Sequence, residues 1–156
     1  MTIPISSAVV AGILQISSPA FKNNDFIPQK YSCQGENISP ALKIKKIPEG
    51  TKTLAVILFD PDASPAGFVH WVLWNLPPST KIQEKISGGS KGNNGNGEVG
   101  YTGPCPPSGI HHYQFRVYAL DTKLTMTETS GKKELEAAMN GHILAQGTIT
   151  GLYKKN

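Results

Sequence analysis

The sequence predicts a mainly β fold, and three observations lead there. Turn formers are abundant, with 16 Gly and 12 Pro in 156 residues, which suits short strands and tight turns better than long helices. Three runs read as strands: the continuous apolar stretch 54–59 (LAVILF), the alternating stretch 68–74 (FVHWVLW) and the alternating stretch 111–120 (HHYQFRVYAL). A single stretch has a convincing helical period, residues 132–145, with Leu135, Ala138, Met139, His142 and Ile143 on one stripe, Ser130 as cap and Gly141 as the point where it can break in two. A chain of 16.7 kDa can bury roughly two-thirds of its unfolded surface. One domain over residues 13–156, preceded by an extension at 1–12, is therefore expected.

Taken in order, residues 13–16 are a candidate first strand that stops at the turn Ser18-Pro19, and Asn23-Asn24-Asp25 is a second turn. Residues 27–31 lead into a polar loop, 33–40, whose Asn37-Ile38-Ser39 fits the glycosylation pattern, a frequent match with no sign of a eukaryotic secreted chain beside it. A short strand with alternating lysines follows at 42–44. Pro48-Glu49-Gly50-Thr51 turns the chain into the apolar run 54–59, and Asp60-Pro61-Asp62 ends that run, because a proline holds its predecessor in extended geometry. Strict alternation along 68–74 places His70, Val72 and Trp74 on one face and Val69, Trp71 and Leu73 on the other. Residues 79–99 are poor in apolar side chains and dense in Gly and Asn, so a mobile surface loop is expected there. The stiff loop 103–109 (GPCPPSG) delivers strand 111–120, with His111, Tyr113, Phe115 and Val117 on its buried face. A last strand is expected at 148–153. His142 on the helical stripe reads as a core or boundary histidine, not as a ligand.

Several function classes lose their support at this level. The formal charge is +4, but Arg116 is the one arginine and the lysines are scattered, which suits a solvated surface better than a nucleic-acid face. A mild attraction to anionic ligands or membrane surfaces is compatible with that charge. No run approaches the ~20 apolar residues of a membrane span. Residues 8–14 are weakly apolar, yet no Lys or Arg precedes Lys22, so a basic signal-peptide start is missing. A cytoplasmic location is expected, with the periplasm left open. The stretch Gly95-Asn96-Gly97-Glu98-Val99-Gly100 matches GxGxxG, but no strand precedes it and prolines follow where a helix must start, so a dinucleotide site is dismissed. Neither GxxxxGK[ST] nor GxSxG occurs. Cys33 and Cys105 stand 72 residues apart, too far for a CxxC motif; two buried thiols and a disulfide are both compatible with the residues alone.

The informative polar residues are Asp60, Asp62, His70, His111 and Tyr113, each at a strand end beside a Pro- or Gly-rich loop. Imidazoles, a phenol and loop N–H groups can cradle a phosphate, with Asp60 orienting one imidazole. Three alternatives compete with such a cradle. The aspartates can be turn caps and the histidines polar boundary residues. A His/His/Asp zinc site has the right residue types but no short ligand spacing, so no metal is expected. Hydrolysis has a carboxylate and a histidine for acid-base work but no nameable nucleophile, so no catalytic residue is assigned.

The stretches DPDASPAGFVHWVLWNLP and GYTGPCPPSGIHHYQFRVYALD, with YSCQGENISPALKI before them and ELEAAMNGHILAQGTITGLYKK after, resemble the phosphatidylethanolamine-binding protein family, and in particular its bacterial Raf-kinase-inhibitor-like branch. The similarity extends over about residues 14–155. It implies an antiparallel two-sheet fold with peripheral helices and a small pocket for phosphate or phospholipid headgroup-like anions. It implies a binding, regulatory protein without a cofactor, and as an alternative an inhibitor whose surface blocks a protein kinase or protease; a homodimer stays open. Carried over by position, the ligand-binding residues are Asp60, Phe68, His70, Gly103, Pro104, His111 and Tyr113, with Asp62 and His112 as structural members of the motifs.

Two departures stand out. Ser64 stands where the family's DPDAP has its proline, with Pro65 following, and His112 stands where the family's HRY has an arginine, a titratable ring in place of a permanent charge. The resemblance also places the loops of Cys33 and Cys105 near the pocket, and so near each other. A carboxylate beside the imidazoles is expected to raise their pKa values, so anion binding is expected to weaken as pH rises.

Overall fold

A strand that is apolar at every position needs cover on both faces, and the architecture supplies it. The computed structural model describes residues 12–155. In chain order the strands are β1 (Gly12–Ile13), β2 (Gln15–Ser17), β3 (Leu42–Lys45), β4 (Thr53–Asp60), β5 (Phe68–Leu76), β6 (Lys81–Ile82), β7 (Ser90–Lys91), β8 (Ile110–Leu120) and β9 (Ile143–Lys154), with α1 (Lys132–Met139) before the last. They form a six-stranded sheet, β1-β9-β8-β4-β5-β7, and a three-stranded sheet, β2-β3-β6. All pairings are antiparallel except β1 with β9, which run parallel.

β4 lies between β8 and β5, in the middle of the large sheet. Leu54, Val56 and Leu58 pack with Trp71, Leu73, Phe115 and Val117 and with Leu42, Ile44 and Ile82 of the small sheet. Ala55 and Ile57 point the other way, joining Val72, Trp74, Tyr118 and Leu120 under Leu135 and Met139 of the helix. The run 54–59 is continuous because two cores claim its two sides. Burying one such Leu or Ile is worth about 1.5–3 kcal/mol, so β4 anchors both layers.

Several expected boundaries move. Gly12, expected in the extension, begins β1, while residues 1–11 lie outside the described residues. The expected strand 13–16 is divided at Leu14, which is 2% exposed and serves the core between the sheets. Residues 79–99 hold β6 and β7 and an Asn93–Val99 bridge, so the expected loop carries structure of its own. Its GxGxxG stretch is a turn tied by Asn94, whose Nδ2 donates to the Gly100 carbonyl at 2.9 Å.

The helix expected over 132–145 stops at Met139. Gly141 adopts φ 83°, a left-handed conformation that ends helices, and Ile143 pairs with Leu120 as the start of β9. His142 thus leaves the helical stripe and its Nδ1 meets Asp121 Oδ1 at 2.8 Å. Gly131, not Ser130, is the N-cap, and Glu134 accepts its N–H at 3.1 Å. Besides α1, the described residues include one 3-10 turn, Gln29–Tyr31, in the segment that leads to Cys33.

Candidate functional site

Asp60 ends β4 one step beyond the Phe59–Gln114 pair, and His111 and Tyr113 stand near the start of the neighbouring β8. The carboxylate is 2% exposed. Its Oδ1 accepts the Asp62 N–H at 2.8 Å, closing the DPD turn, and its Oδ2 lies 2.6 Å from His111 Nδ1. Both oxygens of Asp60 are therefore committed.

His70 reaches the same place by a break in alternation. Leu58 pairs with Trp71 and Phe59 with Val69, so His70 has no partner residue on β4 and the ladder shifts there. Such a bulge re-aims a side chain. Alternation assigned His70 to the face of Val72 and Trp74, opposite Trp71. Instead its ring meets Tyr113 edge-on at 5.2 Å between centroids and Phe68 at 4.8 Å, on the Trp71 side. His70 Nδ1 sits 2.7 Å from the Thr102 carbonyl. Because a carbonyl only accepts, Nδ1 carries the proton.

These side chains line a cavity of about 260 Å³, closed on its far side by the 102–107 loop. Asp60, Phe68, His70, Gly103, His111 and Tyr113 are all at its wall. Pro104 is not. It is buried beside the cavity and its carbonyl accepts the Cys33 N–H at 3.1 Å, while Cys105, Pro106 and Pro107 form the wall instead.

Two residues that sequence reasoning left out hold this loop in place. Asn37 Oδ1 accepts the Gly103 N–H at 2.7 Å, and Tyr101 donates its hydroxyl to the Tyr31 carbonyl at 2.6 Å. Asn37 was legible only as part of a glycosylation pattern. A Cβ on Gly103 would stand 2.1 Å from the Tyr31 carbonyl oxygen, so the loop's approach requires glycine. Cys33 and Cys105 form a disulfide with Cα atoms 5.5 Å apart, which fastens the loop to the turn after Tyr31.

Asp62 and His112 lie outside the cavity and pair with each other. Asp62 Oδ2 accepts the His112 backbone N–H at 2.7 Å and faces its Nδ1 at 2.7 Å. His112 thus meets Asp62 through both its backbone and its ring. Desolvation pushes the Asp62 carboxyl up, but the hydrogen bonds from His112 outweigh it and hold the carboxyl below its ordinary range. Ser64–Pro65, the other departure, is a cis peptide in the turn between β4 and β5.

Protonation in the cavity follows burial. Desolvation lowers the His70 pKa, outweighing the opposing pull of the Thr102 carbonyl and Asp60. This corrects the expectation that the carboxylate raises it. Desolvation, assisted by Asp60, pushes the Tyr113 phenol well above its ordinary value, so it stays an OH. That hydroxyl is buried with no well-formed hydrogen-bond partner, although the Cys105 backbone is near enough to oppose part of the rise. An unpaired buried hydroxyl costs about 1–3 kcal/mol.

Comparison with known proteins agrees with this geometry. The family model described as phosphatidylethanolamine-binding protein matches residues 17–154. The UPF0098 protein PH1269 of Pyrococcus horikoshii is 46% identical over 153 residues, covering 91% of this chain and 77% of that protein. A crystal structure of a phosphatidylethanolamine-binding protein homologue from Chlamydia trachomatis superposes with a TM-score of 0.88 at 39% identity, covering 94% of this chain and 100% of that one. E. coli YbcL, described as a member of the mammalian family, gives a TM-score of 0.85 at 32% identity, covering 92% of this chain and 99% of its own. By its sequence, its two-sheet fold and these relatives, the chain belongs to the phosphatidylethanolamine-binding protein family.

Proposed function

We propose that this protein binds, without transforming it, a small anion in the Asp60–His70–His111–Tyr113 cavity, the anion being a phosphate or a phospholipid headgroup-like group. The observation that carries this reading is a cavity of about 260 Å³ at whose wall the His70 and His111 imidazoles both stand against the Tyr113 ring. That volume suits a headgroup-sized group.

Binding is favoured over catalysis because the sulfur at the wall, Cys105, is spent in a disulfide. The disulfide also suits an oxidising compartment, such as the periplasm, better than the cytoplasm. Among the described residues no helix is long and apolar enough to cross a membrane.

Methyl phosphate titrated into protein with ¹⁵N-labelled histidine tests the reading. The ring resonances of His70 and His111 should shift together and saturate, and His111→Ala should abolish the saturation. Shifts spread over surface lysines, with both rings silent at millimolar ligand, would remove the cavity as the site.

A further inference from the structure

The GxGxxG stretch, 95–100, closes around the buried side chain of Asn94. Asn94 Oδ1 accepts the N–H of Asn96 at 2.9 Å and that of Glu98 at 3.4 Å, while the Asn94 backbone N–H donates to the Glu98 carbonyl at 2.8 Å and its carbonyl accepts the Gly97 N–H at 3.0 Å. Gly95 fastens the turn to β5. Its N–H donates to the Val69 carbonyl at 2.7 Å, and a Cβ on it would stand 2.5 Å from the Phe68 ring. The turn is therefore set in place before a ligand arrives, and ordering it costs binding nothing.

What the turn presents is Asn96. It stands at the cavity wall with Phe68 and His70, is itself exposed, and its carboxamide has no hydrogen-bond partner among the described residues. Asp60, His70 and Tyr113, at the same wall, are buried. Asn96 thus belongs to the mouth of the cavity and they to its interior. A carboxamide is neutral, with two donor hydrogens and an accepting oxygen, so it pairs with a hydroxyl in either sense.

We propose that Asn96 determines which phosphate ester the cavity prefers, by reading hydroxyl groups on the ester's alcohol, so that esters of a polyol such as glycerol bind better than alkyl esters of the same length. The proposal rests on the anion-binding reading above and names the part of the ligand that it left open. With the phosphate against the imidazoles, the ester oxygen leads the alcohol toward the open side of the cavity, where Asn96 stands. An alkyl group there takes the carboxamide out of water and returns no hydrogen bond, whereas a hydroxyl returns one. A polyol phosphate can reach the cavity as a soluble monoester or as a lipid headgroup, which is a diester. Both present the same hydroxyls to Asn96.

The test measures, by calorimetry on the whole protein, glycerol phosphate against propyl phosphate, and methyl glyceryl phosphate against methyl propyl phosphate. Within each pair the chain length is the same and only the hydroxyls differ. In the pair that binds more tightly, the hydroxylated member should be favoured about fivefold, the scale of one neutral hydrogen bond. The identity of that pair, monoesters or diesters, tells a soluble phosphate from a lipid headgroup. Asn96→Leu, close in size and without hydrogen-bonding atoms, should bring the ratio near one. The ratio is the readout because a general loosening of the cavity weakens both members alike. A ratio near one in the parent overturns the selection while leaving the anion cavity standing. A preference that survives Asn96→Leu, or that disappears in Thr102→Val instead, takes the role away from Asn96, since the Thr102 side chain is the other hydroxyl-bearing neighbour in that part of the wall. If none of the four esters binds at millimolar concentration, the cavity reading fails and the selection with it.

Discussion

His111 Nδ1 lies 2.6 Å from Oδ2 of Asp60, and this one contact joins the end of β4 to the beginning of β8 at a point where the side chains are 14% and 3% exposed. A carboxylate so placed fixes the ring's tautomer as well as its orientation. Asp60→Asn keeps the shape and the acceptor for the Asp62 N–H but loses the charge. It should cost about 1–3 kcal/mol of stability, measured by chemical denaturation. Histidine ¹⁵N shifts should show His111 as a mixture of tautomers, where the parent shows one. An unchanged tautomer would mean that strand geometry, not Asp60, sets the ring.

His70 makes stability depend on pH. Its folded pKa lies below the unfolded value, because burial disfavours the charged ring. Between the folded pKa and the unfolded ~6.5 the unfolded chain therefore binds more protons. Stability should be fully present above ~6.5 and decline as pH falls below it, levelling off beneath the folded pKa. Urea denaturation at a series of pH values should show this decline, and His70→Gln should shrink it. An identical acid slope in the variant would assign the effect elsewhere.

The Cys33–Cys105 bond closes a loop of 72 residues, for which chain entropy alone gives about 4 kcal/mol. Paired replacement by serine should lower the denaturation midpoint accordingly, with the fold kept by the two cores. Thiol titration of the unfolded, unreduced protein should find no free thiol. Two titratable thiols in protein from an oxidising compartment would contradict the bond.

Gly103→Ala should be among the most damaging small substitutions near the cavity. Its Cβ would press on the Tyr31 carbonyl at 2.1 Å and on Asn37 Oδ1 at 2.5 Å, both already used as acceptors. A loss of about 2–4 kcal/mol is expected, with weakened methyl phosphate binding. Gly88→Ala, where a Cβ meets nothing within 4 Å, should stay within about 0.5 kcal/mol of the parent.

The sequence by itself determined whatever depends on near neighbours and on pattern. Alternation identified the buried face of β8, with Tyr113, Phe115 and Val117 in the core between the sheets. The unbroken apolar run marked β4, and of the aspartates and histidines at strand ends Asp60, His70 and His111 stand at the cavity wall while Asp62 and His112 do not. Tertiary structure decided what pattern cannot carry. A bulge costs one residue of register and leaves no mark in composition, so alternation put His70 on the wrong face until β4 paired with β5 on either side of it. The helical period ran past Gly141 because Ile143, Leu144 and Ala145 suit either state, and only pairing with β8 made them strand. Asn37 joins Gly103 across 66 residues, and Pro104 gives up its place at the wall to Cys105, Pro106 and Pro107 by the way the loop is tied down. Contacts of that separation are chosen by the whole packed fold, since no local preference distinguishes one partner from another until the sheets have brought them together.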